Sequence, residues 1–411
     1  MKMMEQLARR GPDAEGMFHD GPLAFGHRRL SIIDLSGRSR QPMLDEALRL
    51  ALVFNGTIYN YKELRAELSG MGYDFFSQGD SEVILKAYHA WGEHCVERFY
   101  GMFAFALWDM REKKLFLARD RFGIKPLYYA VDGASLRFAS TLQALLAAGG
   151  IDRSIDPVAL HHHLTLHAVV PAPRTLLNGV KKLPPASCMT FTASGNITQR
   201  QYWKLDATRP GVPLSERDWL DATRHVLARV AERHRLAADV PVGVLLSGGL
   251  DSSLLVGLLA GHVQDLRTFS IGFEDIGGDA EQGDEFAYSD RVVARFNTRH
   301  HKYLIPNSEV LRRLPEAVRS MSEPMVSQDA IAFYLLAENV SKEVKVALAG
   351  QGADEVFGGY FWYPQMQAAQ GSALDKFRNH YFDRDHAEYL QTVDARYHTP
   401  DATSELVQRE L

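Results

Sequence analysis

A turn rich in glycine and serine is the segment of this sequence best suited to chemistry. It spans residues 247–253, Ser-Gly-Gly-Leu-Asp-Ser-Ser, and separates the apolar run Val240–Leu246 from a helical pattern that begins at Leu254. Backbone N–H groups in such a turn, together with the positive end of the helix dipole, bind anions such as phosphates. The lysine of a Walker A loop is absent, so transfer of a γ-phosphate in the usual manner is not implied.

Carboxylates accompany this turn and indicate a divalent cation. Asp251 lies inside the turn, where it would repel phosphates unless an ion such as Mg²⁺ bridged them. Asp354 and Glu355 follow the predicted strand Val344–Ala349, and one of them could simply cap the next helix. Because parallel strands place their carboxyl ends at one edge of a sheet, we expect Asp251 and Asp354 to share the metal.

The second half of the chain, residues 206–411, predicts an α/β domain built on a doubly wound parallel sheet. Strands alternate with helices there, and ligands of such sheets bind beyond the carboxyl ends of the strands. The predicted strands cover residues 240–246, 268–273, 300–305 and 344–349.

The first half, residues 1–205, has a different pattern. Short apolar or alternating runs recur with few helices between them, which predicts an α+β layered domain with largely antiparallel strands. These runs cover residues 23–33, 50–55, 102–109, 114–119, 126–131, 136–140 and 188–192.

Composition limits the classes of partner. The 411 residues carry a net charge of -5 without blocks of like charge, so no nucleic-acid partner is predicted. No apolar run reaches the length of a membrane span, no secretory leader is recognisable, and we predict a cytoplasmic protein without a membrane partner. The two cysteines, Cys95 and Cys188, lack the spacing of a zinc site or a disulfide framework.

Motifs in both halves resemble those of the glutamine-hydrolysing asparagine synthetase family. The second half carries the turn at 247–253 and Gly-Ala-Asp-Glu-Val-Phe-Gly-Gly-Tyr at 352–360, and the first half carries related motifs at 26–34, 54–56, 101–106 and 118–129. The resemblance implies an N-terminal-nucleophile glutaminase domain followed by a pyrophosphate-loop ATP-binding domain. It also implies that ATP, with Mg²⁺, activates a small carboxylate as an acyl-AMP, and that ammonia from glutamine displaces the AMP. A homodimer is one assembly that it allows.

The resemblance also assigns site residues. Glutamine would be held by Arg29, Asn55, Gly56 and Asp80, with Asn55 and Gly56 forming an oxyanion hole. ATP would be held by residues of the turn and of the neighbouring strands, namely Leu246, Ser247, Gly248, Gly249, Asp251, Ser252, Ser253, Ile271, Ala349 and Gly350.

The sequence departs from the family at its start and at its end. The family's nucleophile is an N-terminal cysteine, whereas this sequence opens Met1-Lys2-Met3-Met4. Family members also continue past the position of Leu411 with a lysine that contacts the activated intermediate. We expect both ends to be truncated, so that the chain as written uses free ammonia and turns over weakly or not at all.

Gln351 is a further departure, because asparagine synthetases carry a glutamate there. An amide is neither a base nor an anionic partner at pH 7, so we expect a different acceptor or different handling of it. With the segments at 167–175, 333–336, 361–364 and 382–388, this residue makes the chain resemble the N-acetylglutaminylglutamine amidotransferases. Aspartate remains the alternative acceptor. For the chain as a whole, the alternative functions are a non-catalytic nucleotide-binding relic and a β-lactam-forming or other synthetase on the same fold.

Three consecutive histidines, His161–His163, raise the question of a second metal. Consecutive residues of a helix point in different directions, so these three cannot converge on one ion. The sequence shows no carboxylate or cysteine partner beside them, and we therefore predict no metal site at this helix.

Overall fold

The computed structural model describes residues 1–133, 135–208, 211–274, 286–325 and 329–411. The chain forms two compact units. The first comprises Met1–Arg209 and His386–Thr403, and the second comprises Pro210–Asp385 and Ser404–Leu411.

The first unit is built mainly from antiparallel strands. Within its described residues the strands are β1 (Ala14–Asp20), β2 (Leu23–Arg29), β3 (Met43–Asp45), β4 (Leu50–Ile58), β5 (Gly101–Asp109), β6 (Lys114–Arg119), β7 (Tyr128–Asp132), β8 (Ser135–Ala139), β9 (Lys181–Lys182), β10 (Ser187–Thr192) and β11 (Ile197–Gln201). Its helices before residue 209 are α1 (Lys2–Glu5), α2 (Tyr61–Gly70), α3 (Asp80–Trp91), α4 (Leu142–Leu146) and α5 (Pro157–Thr165).

A six-stranded antiparallel sheet, in the order β11-β10-β6-β5-β4-β3, forms the centre of this unit. Successive side chains of a strand point to opposite faces, and both faces of this sheet are buried. On β4, Leu52 and Phe54 pack towards α2 and α3, whereas Ala51 and Val53 pack towards β2 and β7. The predicted layered α+β architecture is confirmed, with a helix layer on one face and further strands on the other.

The second unit contains the predicted parallel sheet. Its described strands are β12 (Val242–Leu245), β13 (Arg267–Phe273), β14 (Arg299–Ile305) and β15 (Val346–Leu348), and they pair in parallel in the order β14-β13-β12-β15. The remaining α-helices of the described residues are α6 (Glu216–Leu236), α7 (Leu250–Ala260), α8 (Phe286–Phe296), α9 (Asn307–Ser320), α10 (Asp329–Val340), α11 (Ala353–Phe357), α12 (Trp362–Ala368), α13 (Ala373–Tyr381), α14 (His386–Thr392) and α15 (Ala402–Glu410). Of these, α14 belongs to the first unit.

Helices cover both faces of the parallel sheet. Val244 of β12 packs with α7 residues such as Val256, whereas Phe269 of β13 packs with Leu336 of α10. Burial on both faces is typical of parallel sheets, and the predicted α/β class is confirmed. Among the residues that the structure describes, none of the helices combines the length and apolar character needed to cross a membrane.

Candidate active sites

A cavity of about 410 Å³ lies at the carboxyl edge of the parallel sheet. Its walls come from the end of β12, the middle of β13, the starts of α7 and α8, helix α10 and the segment after β15. The lining residues are Leu245, Leu246, Ser247, Gly249, Asp251, Ser252, Phe269, Ser270, Ile271, Phe286, Asp329, Ala332, Phe333, Leu336, Ala349, Gly350, Gln351 and Asp354.

The turn between β12 and α7 has a shape that requires glycine. Gly248 adopts φ +94°, and a Cβ atom there would lie 2.6 Å from Tyr288 Cβ and 2.7 Å from the Ser289 backbone nitrogen. The Ser247 hydroxyl accepts a hydrogen bond from the Gly249 N–H at 3.2 Å. The turn is therefore held by its own hydroxyl group while it packs closely against α8.

Asp251 and Asp354 line this same cavity, as their positions after adjacent parallel strands predict. Gly350 brings the two loops together, because a Cβ atom at that residue would lie only 2.8 Å from Asp251 Cβ. Carboxylate oxygens are the ligands that Mg²⁺ prefers, and phosphate oxygens commonly supply the rest of its shell. The two side chains therefore suit Mg²⁺, and their metal binding stays a prediction.

Most of the residues predicted to hold ATP line the cavity, but Gly248 and Ser253 are not among its lining residues. The Ser253 hydroxyl instead donates to the Gly249 carbonyl oxygen at 2.7 Å. Sequence reasoning missed the wall formed by α10, including Asp329 and Phe333. No phosphate-binding pattern marks that helix, so its place beside the turn could not be read from spacing.

A larger cavity, of about 800 Å³, lies in the first unit. All four residues predicted to hold glutamine line it, namely Arg29, Asn55, Gly56 and Asp80. They come from the end of β2, the middle of β4 and the first residue of α3, so the fold brings together side chains that the sequence separates.

Asn55 and Gly56 present a hydrogen-bond donor and a close-packed backbone at this cavity. The Asn55 Nδ2 atom is buried and has no hydrogen-bond partner within the protein. Gly56 adopts φ +155°, and a Cβ atom there would lie 2.1 Å from the Met102 carbonyl oxygen. A buried donor without a partner is costly unless a ligand satisfies it, which suits an oxyanion hole.

Asp80 and Arg29 place opposite charges at the cavity. Burial raises the pKa of Asp80 to about 6, although N–H groups of Ile58, Asp80 and Ser81 and the Arg29 charge act in the opposite direction. Asp80 Oδ2 accepts the Ile58 N–H at 3.0 Å. The Arg29 guanidinium donates to the carbonyl oxygens of Ile33 and Asp34, at 3.1 and 2.6 Å, and these bonds hold it in place.

His27 and Lys125 also line the cavity and were not predicted as site residues. His27 Nε2 lies 3.1 Å from the Phe54 carbonyl oxygen, which can only accept, so Nε2 carries the proton. Its buried Nδ1 atom has no partner, and burial lowers the pKa of His27 to about 4. The position of His27 in the 26–34 motif was the only available signal.

Known protein families match the two halves of the chain separately. Residues 1–203 match the family described as a glutamine amidotransferase domain, and residues 190–410 match the family described as asparagine synthase. The glutamine-hydrolyzing asparagine synthetases 1 and 3 of Bacillus subtilis (strain 168) are 39% identical over 363 residues and 32% identical over 382 residues. These matches cover 88% and 90% of this chain but 56% and 61% of the relatives, so the chain spans little more than half of their length.

A solved structure of glutamine phosphoribosylpyrophosphate amidotransferase from B. subtilis, complexed with ADP and GMP, was also found. It matches 74% of this chain and 77% of its own, with 15% sequence identity and a TM-score of 0.38. This likeness is too low to support a functional comparison.

Proposed function

The chain belongs to the asparagine synthase family, and on that premise we propose that it forms amides by activating a carboxylate with ATP. In this reaction the carboxylate oxygen attacks the α-phosphate, pyrophosphate leaves, and ammonia then displaces AMP from the acyl group. Glutamine or free ammonia is the proposed nitrogen source, and glutamine is included because residues 1–203 match a glutamine amidotransferase domain. A cytoplasmic location stays a prediction.

One observation carries the proposal: Asp251 and Asp354 line one cavity beside the glycine- and serine-rich turn. The turn's backbone N–H groups would bind the departing phosphates, and the start of α7 adds the positive end of a helix dipole. Mg²⁺, when bound by the two carboxylates, would neutralise charge on those phosphates. Phe333 and Leu336 line the same cavity and supply an apolar wall, which suits the adenine base.

The first-unit cavity would serve the release of ammonia. Asp80 would pair with the ammonium group of glutamine, and Arg29 with its α-carboxylate. The unpartnered Asn55 Nδ2 atom would donate to the side-chain carbonyl oxygen as negative charge develops on it.

For the acceptor, we propose N-acetylglutaminylglutamine, because Gln351 lines the nucleotide cavity. Its amide cannot act as the base or anionic partner that a glutamate provides. Aspartate is the second candidate, since both B. subtilis relatives carry the name asparagine synthetase.

Calorimetric titration of the chain with ATP and Mg²⁺ tests the nucleotide site. We expect Asp251→Asn to weaken binding of ATP with Mg²⁺ by at least about tenfold, since it replaces a negatively charged metal ligand by a neutral one. Asp265→Asn is the matched control, because Asp265 is exposed and precedes β13 at the opposite edge of the sheet. Equal binding by wild type and Asp251→Asn would contradict the proposed site.

The acceptor is tested by supplying ammonia, ATP and Mg²⁺ with each carboxylate in turn and measuring pyrophosphate. Turnover with the dipeptide supports the first candidate, and turnover with aspartate alone refutes it.

A further inference from the structure

A cluster of imidazole and carboxylate groups lies in the first unit, where helix α5 meets the segment 386–403. His161 of α5 and His386 of α14 approach each other, with 3.0 Å between Nε2 and Nδ1. An oxygen of the Asp401 carboxylate lies 3.9 Å from the same Nε2 atom. One ligand atom from each of the three residues lies within 4.8 Å of the other two.

The hydrogen bonds behind this cluster determine which His161 nitrogen carries the proton. The Thr165 hydroxyl donates its single proton to the His161 carbonyl oxygen, at 2.7 Å. Thr403 Oγ1 lies 2.7 Å from Thr165 Oγ1, so Thr403 must be the donor in that contact. The lone pairs of Thr403 Oγ1 then accept from the Nδ1 atoms of His161 and His162, each 2.9 Å away.

Because Nδ1 of a neutral His161 carries the proton, its Nε2 atom is unprotonated, and the Nε2 lone pair is directed at His386. The ring cannot rotate freely, because the His161 side chain is fully buried and Tyr389 packs edge-on against it, with 4.5 Å between ring centroids. Metal-binding histidines characteristically donate their other ring N–H to an oxygen, as His161 does to Thr403.

We propose that His161 Nε2, His386 Nδ1 and the Asp401 carboxylate form a binding site for Zn²⁺. Two imidazoles and a carboxylate are typical zinc ligands, and water can complete a tetrahedral shell. Ligand atoms of such a shell, with bonds of about 2.0–2.1 Å, lie about 3.3 Å apart. The observed separations of 3.0 and 3.9 Å fall on either side of that value.

The structure places beside α5 the carboxylate partner that the sequence did not show there, so the proposed site differs from the prediction of no metal at this helix. His161 and His162 both reach Thr403 Oγ1 through Nδ1, and the candidate metal partners of His161 lie 225 and 240 residues later in the chain. An ion there would tie the segment 386–403 to α5, which is a structural role distinct from both cavities.

Metal titration of the whole chain, with any affinity tag removed and with prior dialysis against a chelator, tests the proposal. We expect wild type to bind one equivalent of Zn²⁺ and, with Co²⁺, to give the visible absorption of a tetrahedral site. His386→Gln and Asp401→Asn should each weaken Zn²⁺ binding by at least about tenfold. Loss of a residue that only hydrogen-bonds to a metal ligand already lowers metal affinity by about that factor, and loss of a ligand should cost no less. His398→Gln is the matched control, because His398 is exposed on the same segment.

Thermal unfolding provides the second measurement. Zn²⁺ should raise the melting temperature of wild type and of His398→Gln but not that of Asp401→Asn, since an ion stabilises only the state that binds it. Asp401→Asn preserves the side-chain shape, so it carries the test if His386→Gln does not fold. The proposal is overturned if wild type binds no Zn²⁺, or if binding survives unchanged in Asp401→Asn; in that case His161 and His386 form only a hydrogen bond.

Discussion

Replacing Asp80 by asparagine is expected to stabilise the protein while weakening binding of glutamine at the proposed site. Asp80 is 5% exposed at the start of α3, and its burial raises its pKa from 3.8 to about 6. Ionising this carboxyl group at neutral pH therefore opposes folding. Asparagine keeps an oxygen that can accept the Ile58 N–H and removes the buried charge.

The size of the effect follows from the rise in pKa. At about 1.36 kcal/mol per pH unit, the change from 3.8 to about 6 corresponds to about 3 kcal/mol. Below pH 3.8 the carboxyl group is protonated in both the folded and the unfolded state, so ionisation contributes nothing. Between pH 3.8 and 6 the folded state holds a proton that the unfolded state has lost, and wild-type stability falls as the pH rises. Above pH 6 both states are ionised and the penalty is constant.

Urea unfolding of wild type and Asp80→Asn from pH 4 to pH 8 measures this difference. Other groups titrate in both proteins, so the free energy of unfolding of wild type is subtracted from that of the variant at each pH. The subtracted value should rise by about 2 kcal/mol from pH 4 to pH 6, and by about 0.5 kcal/mol more before it levels off above pH 7. Asp132→Asn, the same change at an exposed position, should alter stability by less than about 0.5 kcal/mol.

The affinity of wild type for glutamine should rise with pH, whereas its stability falls. In the proposed site the ammonium group of glutamine would pair with the ionised Asp80 carboxylate, so wild-type affinity should rise with pH until about pH 7, and Asp80→Asn should bind weakly at every pH. A subtracted stability that stays flat or falls with pH would refute the reasoning about burial. Unchanged glutamine affinity in a stabilised variant would refute only the assignment of Asp80 to the amino-acid site.

Three further substitutions test the packing of the two units. Gly350→Ala should weaken binding of ATP with Mg²⁺ by at least about tenfold, because the new methyl group would lie 2.8 Å from Asp251 Cβ; calorimetry showing wild-type affinity would contradict this. Gly56→Ala should lower the free energy of unfolding by about 3 kcal/mol, because its Cβ atom would lie 2.1 Å from a β5 carbonyl oxygen; an unchanged melting temperature would show that β4 can shift. Lys86→Met should lower the free energy of unfolding by about 3–5 kcal/mol, since the buried Asp45 carboxylate loses the Lys86 ammonium group that lies 2.5 Å away. Adding Asp45→Asn should recover part of that loss, and urea unfolding that shows no recovery would exclude this explanation.

Local patterns in the sequence were sufficient to predict the architecture of both units and the meeting of Asp251 with Asp354 at the cavity of the second unit. Short, nearly continuous apolar runs in β4 and β5 identified strands, and alternating strands and helices after residue 206 identified the parallel sheet. Once that sheet was inferred, strand polarity alone placed Asp251 and Asp354 at a common edge. The same reasoning could not find the α10 wall, because nothing in the helix specifies which loop it faces.

Only the tertiary structure showed which side chains lack partners and which distant ones meet. The buried Asn55 Nδ2 atom is recognisable as a donor awaiting a ligand only when all its neighbours are known. His161 and His386 are 225 residues apart, and no spacing in the sequence relates them. Periodicity determines the face of an element on which a residue lies, because backbone geometry is local. The residues that this face contacts depend on how the whole chain packs, and that packing decided which residues line the two cavities and which surround His161.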